Sequence, residues 1–394
     1  MKKILYICDQ NPFEHNFGSQ QRTHLLFNVL CEKGNVDLVC YTNDQKPEQI
    51  SNPKCTIKYF GRLPEKSNSK LFTRIIKILN ILSSFSPYSV YDKNKEAAYT
   101  IRKLIKYGEY DFIVIRYIKN AFISGLLKGD QIIVDIDDLP ENSFSSYIHL
   151  NELKGVKFYQ YKFYEFRAKY HTDRFVKKIQ YAFLSNKLQC RWENSSLLSN
   201  IPFMINKNGK DSSIDYPHDS DIIIFVGYML HTPNLYGIQY FLENIWKDVK
   251  NNVPNAVFKI IGQGVSKVQK DIWEKFDDVI VAGFVDDLSH EYNTSKVVIA
   301  PIYSGGGSNI KILEGMYMHK AMVISSFAAV PFANDLIDDY NIMIAEDSND
   351  FSEKVIKLLI DKEKNKFIAG NAKKMIDEKY TYKNFRESVN KVLN

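Results

Sequence analysis

The stretch from Val297 to Lys320, VVIAPIYSGGGSNIKILEGMYMHK, runs an apolar segment into a triple-glycine turn and then into a helical pattern. Val297 to Ile302 is almost uniformly apolar, as strands of a parallel sheet covered on both faces tend to be. Gly305, Gly306 and Gly307 let a ligand approach the backbone without side-chain obstruction. Ser308 is placed to cap the helix that follows, whose first free N–H groups and dipole suit an anion. Lys311 adds a full positive charge one turn in. Glu314 lies six residues beyond Ser308, about 9 Å along a helix axis, which is the reach from a phosphate to the hydroxyls of an attached ribose. The stretch alone leaves a second reading open. Lys311 and Glu314 fit a plain i,i+3 surface pair, and the glycines match neither of the best-known phosphate-loop spacings.

Outward from that stretch the same alternation recurs on both sides. Toward the C-terminus, helical patterns are expected at about Leu235 to Lys250, Ser266 to Phe276, Asp350 to Lys362 and Tyr382 to Leu393. Strands are expected at Asp221 to Val226, Ala256 to Ile261, Val279 to Val281 and Ala321 to Ser325. The N-terminal half reads as strands at Lys3 to Cys8, Val36 to Tyr41, Thr56 to Phe60, Phe112 to Arg116, Gln131 to Asp135 and Gln180 to Leu184. Helices are expected from about Ser19 to Lys33 and near 70–83, 92–107 and 151–177. Such alternation predicts α/β architecture: two Rossmann-like, doubly wound parallel-sheet domains facing a cleft. Hydrophobicity falls over FMINKNGKDSSIDYPHDS, so the linker is placed at 203–220, between domains at 1–202 and 221–375. A C-terminal helix within 376–394 is expected to cross back to the N-terminal domain.

With 394 residues, 45% hydrophobic and 25% charged, the chain is long enough for two domains with separate cores. A balance of 52 basic and 46 acidic residues leaves +6, too mild to argue for nucleic acid but compatible with an anionic substrate or membrane surface. Five cysteines, Cys8, Cys31, Cys40, Cys55 and Cys190, show no C-x-x-C spacing and read as reduced thiols of a cytoplasmic protein. MKKILYIC reads as a first strand rather than an export signal, and no run approaches the roughly 20 apolar residues of a membrane-spanning helix.

IIIFVGYMLHTPN, NAVFKIIGQG, VIVAGFVDDL, VVIAPIYSGGGSNIKILEGM and KAMVISSFAAVPF, in this order, resemble the donor-binding half of bacterial family 4 (group 1) glycosyltransferases. The N-terminal half is similar more loosely, through FGSQQRTHLLFNVL, FIVIRYIKN, IIVDIDDLP, FYEFRAKY and LLSNIP. The resemblance implies the two-domain GT-B fold, metal-independent transfer with retention, an acceptor-binding N-terminal domain and a nucleotide-sugar donor held by the C-terminal one. It places the ribose-binding carboxylate on Glu314, the diphosphate turn on Gly305 to Asn309, and phosphate charge on Lys311. The base falls near Gly283, Phe284 and Val285, with close approach at Gly262 and Gly264. The loop with Phe17, Gly18 and Ser19 covers the donor. The chain departs from many members at Gly306, where they carry a glutamate, and at Tyr228 and Asn234, where they carry an arginine and a lysine.

The remaining expectations concern chemistry and partners. Transfer needs positive charge from the protein, from Lys311, helix amides and Arg116 or Arg22. In VDIDD, clustered Asp135, Asp137 and Asp138 allow a cation site, but ending a strand beside Arg116 is the favoured reading. Asp137 or Asp138 acting as a base and a structural ion pair stay open side by side. His231, beside Pro233 and Asn234, is the candidate among His15, His24 and His231. FYQYKFYEFRAKYHTDRFVKK reads either as a helix packing its aromatic face or as one meeting the inner-membrane surface. The expected partners are the nucleotide-sugar donor and a glycan or lipid-linked saccharide acceptor, as in bacterial surface polysaccharide synthesis, with no nucleic acid, no cofactor and no metal. The rivals are a sugar-nucleotide 2-epimerase and a two-lobed binding protein without catalysis.

Overall fold

Apolar runs become the buried strands of two parallel sheets. The computed structural model describes the chain except residues 16–17, 49–51, 64–94, 152, 203–219, 306–308 and 333. It separates into two units, Met1–Ser199 with Phe385–Asn394, and Asn200–Asn384. The helix expected near 70–83 and the linker 203–220, apart from Ser220, lie outside the described residues.

In the first unit a seven-stranded sheet has the order β3-β2-β1-β4-β5-β6-β7. Its strands are β1 (Lys2–Cys8), β2 (Gly34–Tyr41), β3 (Cys55–Gly61), β4 (Phe112–Arg116), β5 (Gly129–Asp137), β6 (Ile179–Leu184) and β7 (Ser195–Leu197). Ile4 to Cys8 and Phe112 to Arg116 are buried throughout, because helices cover both faces of a parallel sheet. The helices are α1 (Gly18–Lys33), α2 (Lys95–Gly108), α3 (Ile118–Ser124), α4 (Pro140–Leu150) and α5 (Gly155–Val176). The strand order reverses between β1 and β4, which pair directly.

The second unit is a six-stranded sheet ordered β10-β9-β8-β11-β12-β13. Its strands are β8 (Ile222–Val226), β9 (Val257–Ile261), β10 (Val279–Gly283), β11 (Val297–Ala300), β12 (Ala321–Ser325) and β13 (Met343–Ala345). The order reverses between β8 and β11. Two expected helices divide or extend. The one expected at Leu235 to Lys250 is α6 (Thr232–Asn244) and α7 (Trp246–Asn252), broken at Ile245. There Trp246 turns inward, 2% exposed, and its indole N–H donates to the Asp277 carbonyl at 2.9 Å. After α8 (Lys267–Trp273), α9 (Leu288–Thr294), α10 (Ile310–Tyr317) and the single turn α11 (Ser326–Ala329), the helix α12 (Ser348–Ile360) ends where α13 (Lys362–Lys379) begins. Asp361 makes that corner: its backbone is extended, and its carboxylate accepts from the Lys364 amide at 2.9 Å, an N-cap.

The C-terminal helix α14 (Tyr382–Leu393) joins the first unit from Phe385 onward. Phe385, Val389 and Leu393 are buried at i, i+4 and i+8, Arg386 lies 3.6 Å from Glu32, and Lys33 donates to the Asn394 side chain.

Two glycines are set by close approach. A Cβ on Gly262, whose φ is +138°, would sit 1.7 Å from the Gly227 carbonyl oxygen, and one on Gly237 would sit 2.0 Å from that of Pro301. Gly370, within α13, has open space around its Cα. We expect Gly262→Ala to lower the urea midpoint by an amount worth more than about 2 kcal/mol, the scale of backbone incompatibility. Gly370→Ala should raise it by roughly 0.5–1 kcal/mol, the propensity difference in a helix. Equal effects of the two substitutions would contradict this packing.

Candidate functional site

Ligands of open α/β sheets bind beyond the carboxyl ends of the strands, where the strand order reverses. In the second unit that point lies between β8 and β11, and several backbone approaches build it. The Gly227 amide donates to the Ile261 carbonyl at 3.0 Å, Met229 to Gln263 at 2.7 Å, and Gly262 to Gly283 at 2.7 Å. A Cβ on Gly264 would meet Leu230 at 2.8 Å, so the loops after β8 and β9 lie against one another. Gly305, with φ +117°, sits beside Pro233.

Asn234 and Lys311 join the two sides of this point. Asn234, 4% exposed in the first turn of α6, donates from Nδ2 to the Tyr228 carbonyl at 2.7 Å. Its Oδ1 accepts from Lys311 Nζ at 2.5 Å. The ammonium also lies 5.0 Å from the centre of the Phe225 ring. Burial pushes the Lys311 pKa down to about 7, against the opposing pull of Glu314. Lys311 and Glu314 are therefore no surface pair, since Glu314 is 8% exposed. The His231 pKa is also lowered, by burial first and by Lys311 second, so its imidazole favours the neutral form.

The opening of α10 differs from expectation in one respect. The helix starts at Ile310 with Asn309 at the N-cap and no side-chain cap, one residue later than the sequence expectation of a cap at Ser308. Gly306, Gly307 and Ser308 lie outside the described residues. Nearby, the hydroxyls of Tyr303 and Ser304 are buried without a hydrogen-bond partner. Phe284 is 64% exposed and Val285 partly buried, just after β10.

In the first unit the switch point between β1 and β4 holds a buried ion network. Arg22 on α1 grips Asp135 in a two-bond fork, Nε to Oδ2 at 2.9 Å and Nη2 to Oδ1 at 2.7 Å, and Nη1 donates to the Leu198 carbonyl at 2.6 Å. Arg116 lies 3.1 Å from Asp135 and 2.8 Å from Asp137, and stacks on Tyr117 with 3.9 Å to the ring centre. Burial works to raise the Asp137 carboxyl, but Arg116 and Arg22 hold it down to about 2. A carboxylate that weakly basic is poorly matched to proton abstraction near neutrality, so of the two readings open in the sequence the geometry favours the ion pair. Asp138 accepts from the Leu139 amide, Asn142 and Gln189 at 2.8 to 2.9 Å, and so anchors the start of α4. Among the described residues no group of three His, Cys, Asp or Glu is placed to hold a metal ion.

A residue not singled out in the sequence stands beside this network. Asp9 follows β1 and lines a cavity of about 420 Å³ with Tyr117, Lys119, Asp138 and Phe144. Burial raises its pKa against the opposing influence of Asn120, Arg116 and Lys119, and its Oδ1 has no hydrogen-bond partner. Its signal was positional: it is the first polar residue beyond the first strand of a parallel sheet. Tyr117 and Asp137 here adopt left-handed φ values of 66° and 64°. Gly18 opens α1, and the Ser19 hydroxyl accepts from Gln10 at 2.9 Å. Another cavity, of about 440 Å³, flanks α1 near His24 and Lys54 and includes none of the network.

Two parallel sheets, each with polar groups at its switch point, define a protein of two doubly wound α/β domains. Residues 220–361 match the family described as glycosyl transferases group 1, and the whole chain shares its two-domain α/β fold with solved glycosyltransferases. Sucrose-phosphate synthase from Thermosynechococcus elongatus is similar over 100% of this chain and 98% of its own, with TM-score 0.70 and 13% identity. WaaG, described as a glycosyltransferase involved in lipopolysaccharide biosynthesis, gives 0.66 at 12% identity over 99% of both chains. Anabaena HepE, solved in complex with UDP and glucose, gives 0.62 at 12% identity, covering 100% of this chain and 99% of its own. No curated protein matches the sequence.

The buried network yields a stability test. Asp135→Asn leaves two fully buried guanidiniums facing one carboxylate, so we expect a loss of about 3–5 kcal/mol in urea unfolding at pH 7. The Asp137 carboxyl is held below its unfolded value, so its contribution is complete above the ordinary carboxylate range and fades as pH falls toward 2. The acid limb of the stability curve should therefore be steeper in the wild type than in Asp137→Asn. A loss under about 1 kcal/mol for Asp135→Asn, the surface-pair range, would contradict the network.

Proposed function

We propose that the donor's diphosphate lies on the backbone of Gly305 to Asn309 and on Lys311, its ribose on Glu314, and its base beside Gly283, Phe284 and Val285. The observation that carries this reading is the Lys311 ammonium at the opening of a helix, partly desolvated and hydrogen-bonded to the neutral amide of Asn234. A half-buried cation with a lowered pKa gains most from an anion at that spot, because the anion restores the protonated form. Asn234 holds the ammonium in place, and neutral His231 adds no competing charge. The buried hydroxyls of Tyr303 and Ser304 support a sugar-facing role for the loop after β11.

Transfer proceeds with retention. The bond from the anomeric carbon to the donor phosphate oxygen breaks, the acceptor oxygen bonds on the same face, and the departing phosphate oxygen takes the acceptor proton. Lys311 and the helix amides stabilise the charge that develops on the leaving diphosphate. The acceptor falls to the first unit, where Asp9, Lys119 and Asp138 line the cavity at the strand ends. A growing glycan on a lipid carrier, as in bacterial surface polysaccharide synthesis at the cytoplasmic face, is the acceptor this reading favours. WaaG's described place in lipopolysaccharide biosynthesis supports it.

UDP is the first nucleotide to test, since HepE was solved with it. Incubation with UDP-glucose and related donors is expected to release free sugar and UDP slowly. Epimer formation would instead support a 2-epimerase, and intact donor would support binding alone. Lys311→Gln should weaken UDP more than uridine, whereas Glu314→Ala should weaken both; equal losses in the lysine variant would refute the phosphate assignment. Because free Lys311 is half protonated near pH 7, UDP affinity should fall as pH rises from 7 to 10, by at most about tenfold per unit. Lys311→Gln should flatten that dependence.

A further inference from the structure

We propose that the outer face of α5 rests on an anionic lipid surface. Val156, Tyr159, Phe163, Phe166 and Tyr170 follow at helical spacing and are 84%, 73%, 44%, 67% and 41% exposed. The opposite face is spoken for, since Ala168, His171, Thr172 and Phe175 are buried. Large apolar rings repeated at steps of three and four residues form one continuous ridge, which is unlike the single exposed hydrophobes of ordinary surfaces.

Charge decides what covers this ridge. Residues 155–178 contain seven basic and two acidic side chains, a net +5 in a chain whose whole formal charge is +6. Helical geometry puts Lys162 and Lys169 along one side of the ridge and Arg167 and Arg174 along the other, with Lys177 and Lys178 following its end. Arg174 donates to the Tyr170 hydroxyl at 2.7 Å, and Lys162 pairs with Glu165 at 2.8 Å. A second copy of the chain would bring one strongly positive face against another. Single-stranded nucleic acid follows a charged groove with stacking platforms, whereas Phe163, Phe166 and Val156 stand on a convex helix. A flat anionic bilayer satisfies both features at once: the ridge enters the boundary between headgroups and acyl chains, and the basic stems splay outward to lipid phosphates.

The face of α5 turned away from the ridge packs beside the first unit's cavity. Tyr161 stacks on Tyr147 of α4 at 4.6 Å, and Phe144, which lines the cavity, meets Tyr164 at 5.8 Å. A lipid-linked acceptor would thus be presented beside that cavity; this clause alone rests on the acceptor reading above.

Co-sedimentation of the full chain with phosphatidylglycerol–phosphatidylcholine vesicles and with pure phosphatidylcholine vesicles tests the surface. The wild type should pellet with the anionic vesicles only, and less as salt rises. Phe163→Ser/Phe166→Ser should bind at least tenfold more weakly with an unchanged melting temperature and unchanged UDP binding. In Phe166→Trp the emission should shift to the blue and be quenched by brominated acyl chains. Equal pelleting with both vesicle types, an unshifted tryptophan, or a dimer that the serine variant dissolves without any vesicle binding would each overturn the proposal. Vesicle binding lost while UDP binding is retained in the wild type would leave the nucleotide reading standing and remove this one. An oligonucleotide bound in preference to vesicles would likewise overturn it.

Discussion

The hydrogen bond from Lys311 to Asn234 joins the two sides of the second unit's switch point. It spans the reversal between β8 and β11, tying the first turn of α6 to the first turn of α10. An ammonium drawn partly out of water toward a neutral amide keeps its charge at a cost, and the pKa of about 7 expresses that cost. The close glycine contacts at Gly227, Gly262 and Gly264 place the surrounding loops so that the amide and the ammonium meet. Packing and function here share one geometry, because a side chain at Gly262 would displace the loop that Asn234 fastens.

The first unit treats charge differently. Arg22 and Arg116 face Asp135 and Asp137, so two cations and two anions cancel inside a region from which water is nearly excluded. Such a set is rigid, and its removal in part is harsher than its presence is helpful. Polar capacity left over appears beside it, on the Oδ1 atoms of Asp9 and Asn120, which lack hydrogen-bond partners. A locked ion network suits a structural role more than it suits proton abstraction by Asp137.

Sheet strands were legible because burial on both faces writes an unbroken apolar run, and most observed strands lie within a residue or two of those runs. Short strands were not: β7 and β13 are three residues each, too few to show a period. Corners without glycine or proline also escaped notice. Ile245 turns the chain through backbone conformation and Asp361 with the help of its own side-chain cap, which left α7 undivided from α6 and α13 unassigned. At the site, Lys311 and Glu314 were readable from spacing along one helix. Asn234 stood out only as a departure from the family pattern, and its bridging role needed the approach of an element 77 residues away. Asp9 and the left-handed backbone of Asp137 carry no compositional mark.

Whether that crevice awaits an anion can be read on one nitrogen. Heteronuclear NMR titration of the Lys311 side chain, without and with UDP, is expected to give a pKa near 7 for the free protein and a clear rise when UDP is bound. A pKa at the ordinary lysine value, unmoved by UDP, would contradict the account.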